Sequence, residues 1–348
     1  DELVKELSTG DWEVLEIKEK PRTSNPKPPF TTSTLQQEGA RKLKSSARQT
    51  MRTAQQLYEN GFITYMRTDS TNLSAEAVEG SRKIIKERYG NEYLPSEAKQ
   101  YSTKVKNAQE AHEGIRPAHR DFVPIEEVQN LLGNEAAKLY ELIWKRTVAS
   151  QMKPAKLKQT SVIIQIQNAK FKATGQVVLF PGYMKVYVEG RDNPDGGLAN
   201  KERILPDLKT NEKLLCSSLN SESHNTKPPA RYREASLVKA LEENGIGRPS
   251  TFASILATIV KRAYIDRNNG KLSPTFLGLA VTQLLENHFT NLVSKEFTAK
   301  MEDGLDEVSR GEQKAVPFMN NFYSGGGRFL GLEKMLEEKV DIPLACTI

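Results

Sequence analysis

The chain has 348 residues, which is enough to bury more than one hydrophobic core and predicts two or three domains. Its 50 lysines and arginines against 44 acidic residues give a formal net charge of +6. That balance fits a polyanionic partner and an ordinary basic protein equally well. The two cysteines, Cys216 and Cys346, lie far apart in the sequence. We therefore expect neither a disulfide framework nor a complete metal-ligand cluster, which fits a reducing, cytoplasmic compartment.

Membrane and secretory classes are disfavoured by the absence of long apolar runs. No such run approaches the roughly 20 residues that a membrane span requires. The first residues, DELVKEL, have no signal-peptide character and do not begin with Met. We expect a soluble protein without a membrane partner, and we interpret the abrupt start as a trimmed sequence.

The first part of the chain changes from a strand pattern to a helical one. Apolar and polar residues alternate over 10–20, which predicts a strand. Four prolines within 21–29 then predict a break in regular structure and a domain crossing. Ser33 with Gln36 is typical of a capping box that opens a helix.

Helical spacing continues to about residue 150. A second helix is predicted with Met51, Ala54 and Tyr58 on one face and Gly61 at its end. A third is predicted to begin at the N-cap Ser74. Residues 25–150 are therefore predicted to be mostly helical.

The period of the pattern changes again after residue 150. Alternation at 162–166, 171–173 and 184–188 predicts strands, and NPDGG at 193–197 predicts a loop at the end of a hairpin. Helical spacing returns over 234–243, 250–262, 277–288 and 297–308. We predict a mixed α and β, multidomain fold with a β-rich domain of residues 1–24 and 151–224, an inserted helical domain of residues 25–150, and a helical domain of residues 225–348.

One segment of the helical block carries a local positive charge. No acidic residue lies between Glu38 and Glu59, whereas five basic residues do. They are Arg41, Lys42, Lys44, Arg48 and Arg52. This run is either plain surface or a contact for phosphate groups, and the sequence leaves both interpretations open.

Tyr65 and Arg67 are the pair with the clearest chemistry. Side chains two residues apart project to the same side of an extended segment. A tyrosine hydroxyl becomes a nucleophile only when it is activated, and the planar guanidinium of arginine matches a phosphodiester. The pair alone also fits a half-buried strand tyrosine beside a surface arginine.

The residues around this pair carry a family resemblance. ITYMRTDS at 63–70 closely resembles the active-site signature of bacterial type IA DNA topoisomerases. PFTTSTLQ at 29–36, HEGIRP at 112–117 and GIGRPST at 245–251 match the family in the same order. These motifs span most of the chain.

The resemblance implies a fold and a reaction. In this family a β-rich domain with an inserted helical domain forms the arch of a ring-shaped enzyme. Tyr65 would attack one DNA strand and retain its 5′-phosphate, while Arg67 would hold the scissile phosphate. His112 would hydrogen-bond the phosphodiester or assist proton movement. The parent enzyme would relax negatively supercoiled DNA in the nucleoid without ATP.

The resemblance also implies DNA contacts outside the tyrosine segment. Arg248, Ser250 and Thr251 open a helix whose free N–H groups form an anion site, and the family contacts the single-stranded backbone there. Arg262 would face the same way. Together with Arg41, Lys44 and Arg48, these are the candidate DNA-binding residues, and such phosphate contacts position the strand without reading its sequence.

The metal half of the reaction is expected outside this sequence. Type IA enzymes hold Mg²⁺ on an N-terminal Toprim domain, and no such domain precedes Asp1. The acidic run at 302–307 has the spacing of a solvated helix face, so we predict no metal site in this chain. Cys346 is interpreted as an ordinary cysteine, with the first half of a Cys-x-x-Cys zinc site as the alternative.

Two other functions were weighed. A non-catalytic module that binds single-stranded DNA remains the alternative. A tyrosine recombinase or relaxase is disfavoured because a relaxase needs a three-histidine metal cluster, and the four histidines are scattered. Strand passage would require hinges, which we expect near residues 21–30 and 151–157.

Overall fold

The computed structural model describes residues 2–101, 112–190, 205–326 and 331–337. Its helices are α1 (Glu2–Ser8), α2 (Thr32–Glu38), α3 (Ala47–Glu59), α4 (Ala75–Tyr89), α5 (Ile125–Leu132), α6 (Asn134–Ser150), α7 (Glu234–Glu243), α8 (Phe252–Lys261), α9 (Phe276–His288), α10 (Thr290–Val293), α11 (Lys295–Ser309), α12 (Ala315–Ser324) and α13 (Leu332–Glu337). Its strands are β1 (Trp12–Ser24), β2 (Ala155–Ile166), β3 (Ala169–Phe180), β4 (Lys213–Leu214), β5 (Ile265–Asn268) and β6 (Lys271–Pro274). The predicted mixed α and β fold is confirmed.

A four-stranded antiparallel sheet has the order β3-β2-β1-β4. β1 pairs with β2 from Glu13 opposite Gln165 to Ser24 opposite Ala155. The ladder therefore joins two points of the chain that lie on either side of the long helical block. Because both ends of that block leave the same end of the ladder, the helices from α2 to α6 form an insertion between β1 and β2.

Pro21 does not break regular structure, contrary to the expectation from the proline run. It lies inside β1, opposite Lys158 of β2. Proline is tolerated on an edge strand because the missing N–H can face away from the ladder. β4 covers β1 only at Trp12 and Glu13, so β1 has a free edge at Pro21 among the described residues. The break comes at 25–29 instead.

The main apolar core lies inside the helical block. It is built around α6, whose Tyr140 and Ile143 are fully buried, together with Leu57 of α3 and Ile85 of α4. α3 ends as predicted before Gly61, and the predicted N-cap Ser74 accepts a hydrogen bond from the backbone of the first turn of α4.

The capping box of α2 is not the predicted one. Thr31 is the N-cap, and it exchanges hydrogen bonds with Thr34, two residues before the predicted Gln36. The PFTTST sequence offers several hydroxyls in a row, so spacing alone could not choose between them. The Ser33 hydroxyl instead donates to Glu242 of α7 at 2.7 Å.

The segment after β3 is also not the predicted strand. A 3-10 helix spans Gly182–Lys185 and buries Tyr183, and Tyr187, two residues after the helix, is also buried. The Tyr187 hydroxyl donates to Glu38 of α2 at 2.6 Å, and Arg146 of α6 lies over the Tyr187 ring and pairs with Glu189. These contacts attach the end of the sheet to the helical block.

α7 and α8 pack on the outside of α2 and α3. A small apolar cluster forms at this contact from Ala47, Val238, Phe252 and Leu256. The Glu234 carboxylate of α7 also accepts a hydrogen bond from the Ala47 backbone at 2.8 Å. We call this contact the α2/α3–α7/α8 seam. Farther along, β5 and β6 form a hairpin before α9. In the described part of the chain no helix has the length and apolar character to cross a bilayer.

Tyr187→Phe tests the junction between the sheet and the helical block. The phenylalanine ring keeps the packing on Arg146, so only the hydrogen bond to Glu38 is lost. Because the acceptor is a buried carboxylate, we expect the free energy of unfolding to fall by about 2 kcal/mol, measured by urea denaturation. Tyr323→Phe is the control, since Tyr323 is 51% exposed, and we expect it to cost less than about 0.5 kcal/mol. Equal effects of the two changes would contradict the assigned role of the Glu38 contact.

Candidate functional site

A glycine turn at the end of α3 places the tyrosine segment. Gly61 has a φ of +77°, and the Phe62 N–H reaches back to the Leu57 carbonyl at 2.9 Å. Glycine suits this left-handed position because it has no Cβ. Phe62 and Ile63 are then buried in the main core. The next side chains therefore emerge from an anchored backbone, and Tyr65 is the first aromatic residue to do so.

The HEGIRP segment runs antiparallel against the tyrosine segment. The Thr64 N–H donates to the Arg116 carbonyl, and the Ala118 N–H donates to the Phe62 carbonyl, both at 2.9 Å. The Thr64 hydroxyl donates to the Gly114 carbonyl at 2.8 Å and accepts from the Arg116 N–H at 3.1 Å. Two segments about 50 residues apart are thus fixed side by side next to Tyr65.

Hydrogen bonds from the Arg116 side chain stabilise this arrangement. Its side chain is buried, and it donates to both carboxylate oxygens of Glu113, to the carbonyls of Pro117 and Ala118, and to the Ser74 hydroxyl. Glu113 in turn accepts from the Ser74 N–H. Burial alone would raise the pKa of Glu113, but the bonds and charge of Arg116, with help from Ser74, lower it below its ordinary value.

The PFTTSTLQ segment supports the other side of the tyrosine strand. The Thr32 hydroxyl donates to the Met66 carbonyl at 2.7 Å and accepts from the Thr68 N–H at 2.8 Å. Phe30 forms a backbone bridge with Ile115. The three matched segments therefore form one hydrogen-bonded unit.

Two of the three predicted catalytic side chains, Tyr65 and His112, lie beside each other on this unit. The rings of Tyr65 and His112 are 5.6 Å apart, with an angle of 35° between their planes. Arg67 is exposed, and it makes no ion pair with any residue that the structure describes. A hydroxyl nucleophile beside an imidazole, with a guanidinium two residues along the same segment, has the groups needed to bind a phosphodiester and attack it.

Arg248 has a different environment from the predicted open anion site. Its guanidinium bonds to Asp306 of α11 at 2.8 Å and lies 3.1 Å from Asp303 and 3.3 Å from Glu302. Glu302 also accepts from the Gly247 N–H at 2.8 Å. Partial burial by itself would lower the pKa of Arg248, but the three carboxylates raise it. Carboxylates of the chain itself thus occupy the place where an anion was expected.

The other residues of this motif separate along α8. Thr251 is the N-cap, and its hydroxyl accepts from the Arg248 N–H at 2.8 Å, whereas the predicted N-cap Ser250 is exposed. Arg262 caps the opposite end of α8 and is exposed. A ten-residue helix spans about 15 Å, so Arg248 and Arg262 cannot share one phosphate.

The candidate residues of the basic run in the helical block also differ in their environments. Arg41 pairs with Glu38 at 3.2 Å, and its side chain is largely covered. The Lys44 ammonium donates to the Arg41 carbonyl at 3.0 Å, and Lys44 itself takes a left-handed backbone conformation with a φ of 56°. Arg48 is exposed on α3. Of these three candidates, Lys44 and Arg48 are exposed to solvent.

The acidic run at 302–307 was predicted to be a solvated helix face and not a metal site. Among the residues described, no group of three or more histidine, cysteine or acidic side chains could hold a metal ion. The acids of α11 bind Arg248 instead. Cys346, the other metal-related residue, and the predicted loop at 193–197 lie outside the described residues.

Sequence reasoning missed two features of the site. The spacing of Glu302, Asp303 and Asp306 on a helix was visible, but their partner Arg248 is 55 residues from Asp303 and 58 from Asp306, and no periodicity indicates it. Tyr58 was assigned to a packing face of α3, yet its ring contacts Tyr65 at 5.3 Å between centroids. The signal for that contact was Gly61, which folds the chain back three residues later.

Known proteins match nearly the whole chain. A family model described as DNA topoisomerase matches residues 1–320. DNA topoisomerase 1 of Synechococcus elongatus is 51% identical over 98% of this chain, and that of Streptomyces coelicolor is 50% identical over 92%. Full-length topoisomerase I of Thermotoga maritima superposes with a TM-score of 0.80 at 39% identity, over 93% of this chain and 53% of that structure.

The motifs, the fold and these matches define a class of DNA-processing protein. The chain belongs to the bacterial type IA DNA topoisomerase family. It spans 38% of the length of the Synechococcus relative and 34% of the Streptomyces one. The chain therefore corresponds to only a part of each of those relatives.

Glu113→Gln tests the contact between Arg116 and Glu113. Because Arg116 is buried while Glu113 is about a third exposed, we expect the loss of the charged partner to lower the free energy of unfolding by about 2 kcal/mol at pH 7. The Glu113 pKa is lowered from its ordinary 4.5 by folding. Its contribution is therefore present above pH 4.5 and disappears as the pH falls through the lowered pKa.

Urea denaturation between pH 3 and 7 measures this difference. The gap between the unchanged protein and Glu113→Gln should narrow as the solution becomes more acidic. Glu126→Gln, at an exposed position of α5, should cost less than about 0.5 kcal/mol at every pH. A gap that stays constant down to pH 3 would show that the Glu113 charge does not stabilise the fold.

Asp306→Asn tests whether its carboxylate competes with DNA for Arg248. Asparagine keeps the shape but removes a charge, so we expect affinity for a single-stranded oligonucleotide to rise by about three-fold at low salt, with less gain at high salt. Fluorescence anisotropy measures the affinity. The Glu126→Gln variant gains the same net charge and should bind as the unchanged protein does. Adding Arg248→Ala should remove the gain; a gain that survives this change would exclude Arg248.

Proposed function

We propose that this chain carries the strand-cleaving tyrosine of a bacterial type IA DNA topoisomerase. The observation that supports it best is the pairing of Tyr65 with His112 on a rigid, hydrogen-bonded unit, with an unpaired Arg67 on the same segment. The parent protein relaxes negatively supercoiled DNA in the cytoplasm, at the nucleoid, and needs no ATP.

Each of the three side chains has one role in this proposal. The Tyr65 hydroxyl attacks the phosphorus of a phosphodiester in a single-stranded region, and the 3′-oxygen leaves. Arg67 binds the non-bridging oxygens and stabilises the charge that develops on them. His112 hydrogen-bonds the phosphodiester or assists the proton transfer. Because the phosphotyrosine ester conserves the bond energy, the 3′-hydroxyl can reverse the reaction.

Strand passage requires the two helical parts to separate while Tyr65 holds the 5′-phosphate. The α2/α3–α7/α8 seam suits this step because its apolar cluster is small and two carboxylates of α7 make its polar bonds. The hinge segments were expected at 21–30 and 151–157. Residues 21–24 and 155–157 are paired strand, which leaves 25–29 and 151–154 as the hinges.

The metal chemistry of the proposed reaction is assigned to another part of the parent protein. Among the described residues, no group of three or more histidine, cysteine or acidic side chains could hold Mg²⁺. The partners of the chain are then single-stranded DNA and the Toprim domain of the parent. Without that domain, the chain is expected to bind DNA and not to cleave it.

Tyr65→Phe tests the nucleophile. The chain is mixed with a labelled single-stranded oligonucleotide and Mg²⁺, with and without a separately produced Toprim domain, and denaturing electrophoresis detects a covalent adduct. We expect an adduct only when the Toprim domain is present, and none with Tyr65→Phe, while the affinity for DNA stays within about two-fold because only the nucleophilic hydroxyl is lost. Tyr232→Phe changes an exposed tyrosine and should leave the adduct intact.

Two results would contradict the proposal. An adduct that persists in Tyr65→Phe would exclude this residue as the nucleophile. Tight, salt-dependent binding with no adduct under either condition would instead favour the alternative function, a non-catalytic module for single-stranded DNA.

A further inference from the structure

Tyr58 makes a contact that neither the packing of the core nor the motifs explain. It lies in the last turn of α3, and its ring meets the Tyr65 ring edge to face, at 5.3 Å between centroids and 68° between planes. Gly61 brings the chain back, so that Tyr65 returns to the helix turn that carries Tyr58. The turn therefore sets this pair of rings by local geometry.

The Tyr58 ring is not placed there by burial. Its side chain is part of a residue that is 42% exposed, and its hydroxyl bonds to no residue in the described ranges. What Tyr58 offers to the site is its ring. Edge-to-face pairs have a preferred geometry because the positive ring edge is attracted by the negative face of the neighbour.

The backbone contacts of the site leave the Tyr65 side chain undetermined. Thr64 and Arg116 fix the main chain, but a tyrosine side chain still rotates about two bonds. An attacking oxygen must lie close to the phosphorus and in line with the leaving oxygen, and small displacements reduce the rate strongly. Three contacts can restrict the Tyr65 ring: its partial packing against the main core and the two neighbouring rings of Tyr58 and His112.

We propose that Tyr58 is a positioning residue that holds the Tyr65 phenol in the orientation for attack. The role rests on the proposed function, since it concerns the same reaction. It requires the ring of Tyr58 and not the hydroxyl. It acts on the rate of cleavage once DNA is bound, because Tyr58 does not provide the phosphate contacts that hold the strand.

An exposed aromatic ring beside a nucleophile has a second use, which is to stack on an unpaired base. That role would act on DNA affinity. The geometry favours positioning because the Tyr58 ring already has its partner in Tyr65 in the absence of DNA.

The test uses the full-length parent protein with Mg²⁺ and two changes at this position. Tyr58→Phe keeps the ring, whereas Tyr58→Leu removes it and retains an apolar side chain. The measurements are affinity for a single-stranded oligonucleotide and the single-turnover rate of adduct formation at saturating oligonucleotide. We expect Tyr58→Phe to keep both values within about two-fold, and Tyr58→Leu to lower the rate about ten-fold or more with unchanged affinity.

Three results would overturn the assignment. An unchanged rate in Tyr58→Leu would show that the ring is not needed. Weaker affinity with an unchanged saturated rate would identify a stacking platform for a base, and an equal loss of rate in Tyr58→Phe would assign the effect to the hydroxyl.

Failure of the variant to fold is checked separately. Thermal melting should show that Tyr58→Leu is folded at the assay temperature, and Tyr58→Gln, which suits an exposed helix position, serves as a second variant without the ring. If the unchanged protein forms no adduct, the proposed function itself fails and the positioning role is excluded with it. A lower rate of adduct formation in Tyr58→Leu and Tyr58→Gln, but not in Tyr58→Phe, would assign the effect to the Tyr58 ring.

Discussion

The buried guanidinium of Arg116 is the interaction on which the site around Tyr65 depends. It is 5% exposed and makes hydrogen bonds to Glu113, Ser74 and the carbonyls of Pro117 and Ala118. A buried charge without such partners would destabilise the fold by several kcal/mol, so these bonds must form together. They join the segment that carries His112 to the N-terminus of α4, and backbone pairing joins the same segment to Thr64. Placing the imidazole beside the phenol is therefore a consequence of satisfying one cation.

Carboxylates have a second, different use across the rest of the described chain. Glu234 and Glu242 of α7 accept hydrogen bonds at the N-terminal turns of α3 and α2, and the acids of α11 surround Arg248. Each places negative charge where helix N–H groups or a cation would otherwise attract an anion. The net positive charge therefore does not translate into a uniform basic surface. Lys44, Arg48, Arg67 and Arg262 are the cations among the site candidates that are exposed.

The sequence predicted the parts of this structure that are set locally or by a motif. Periodicity located α3, α4 and α7, and the resemblance brought Tyr65 and His112 to one site. Prediction from the sequence failed where several neighbouring residues could play the same role, or where a residue distant in the sequence determined the contact. Thr31 rather than Ser33 caps α2, and the Ser33 hydroxyl donates to Glu242 instead. Arg248 bonds to acidic side chains of a helix more than 50 residues away. Neither partner has a signature in the local pattern.

The tyrosine segment and the α2/α3–α7/α8 seam differ in how extensively they are packed and hydrogen-bonded. The tyrosine side is fixed by the main core and by Arg116, whereas the α2/α3–α7/α8 seam has a small apolar cluster and the bond from Ser33 to Glu242. Loss of hydration raises the pKa of Glu242, the charges of Glu243 and Asp69 add to this, and the Ser33 bond opposes it. A raised pKa means that the docked seam favours the protonated carboxyl, so the seam loses stability as the pH rises from the ordinary pKa of this carboxyl through the raised one. The Tyr65 segment is therefore the more extensively bonded of the two, and the seam is the contact that the proposed strand passage would separate.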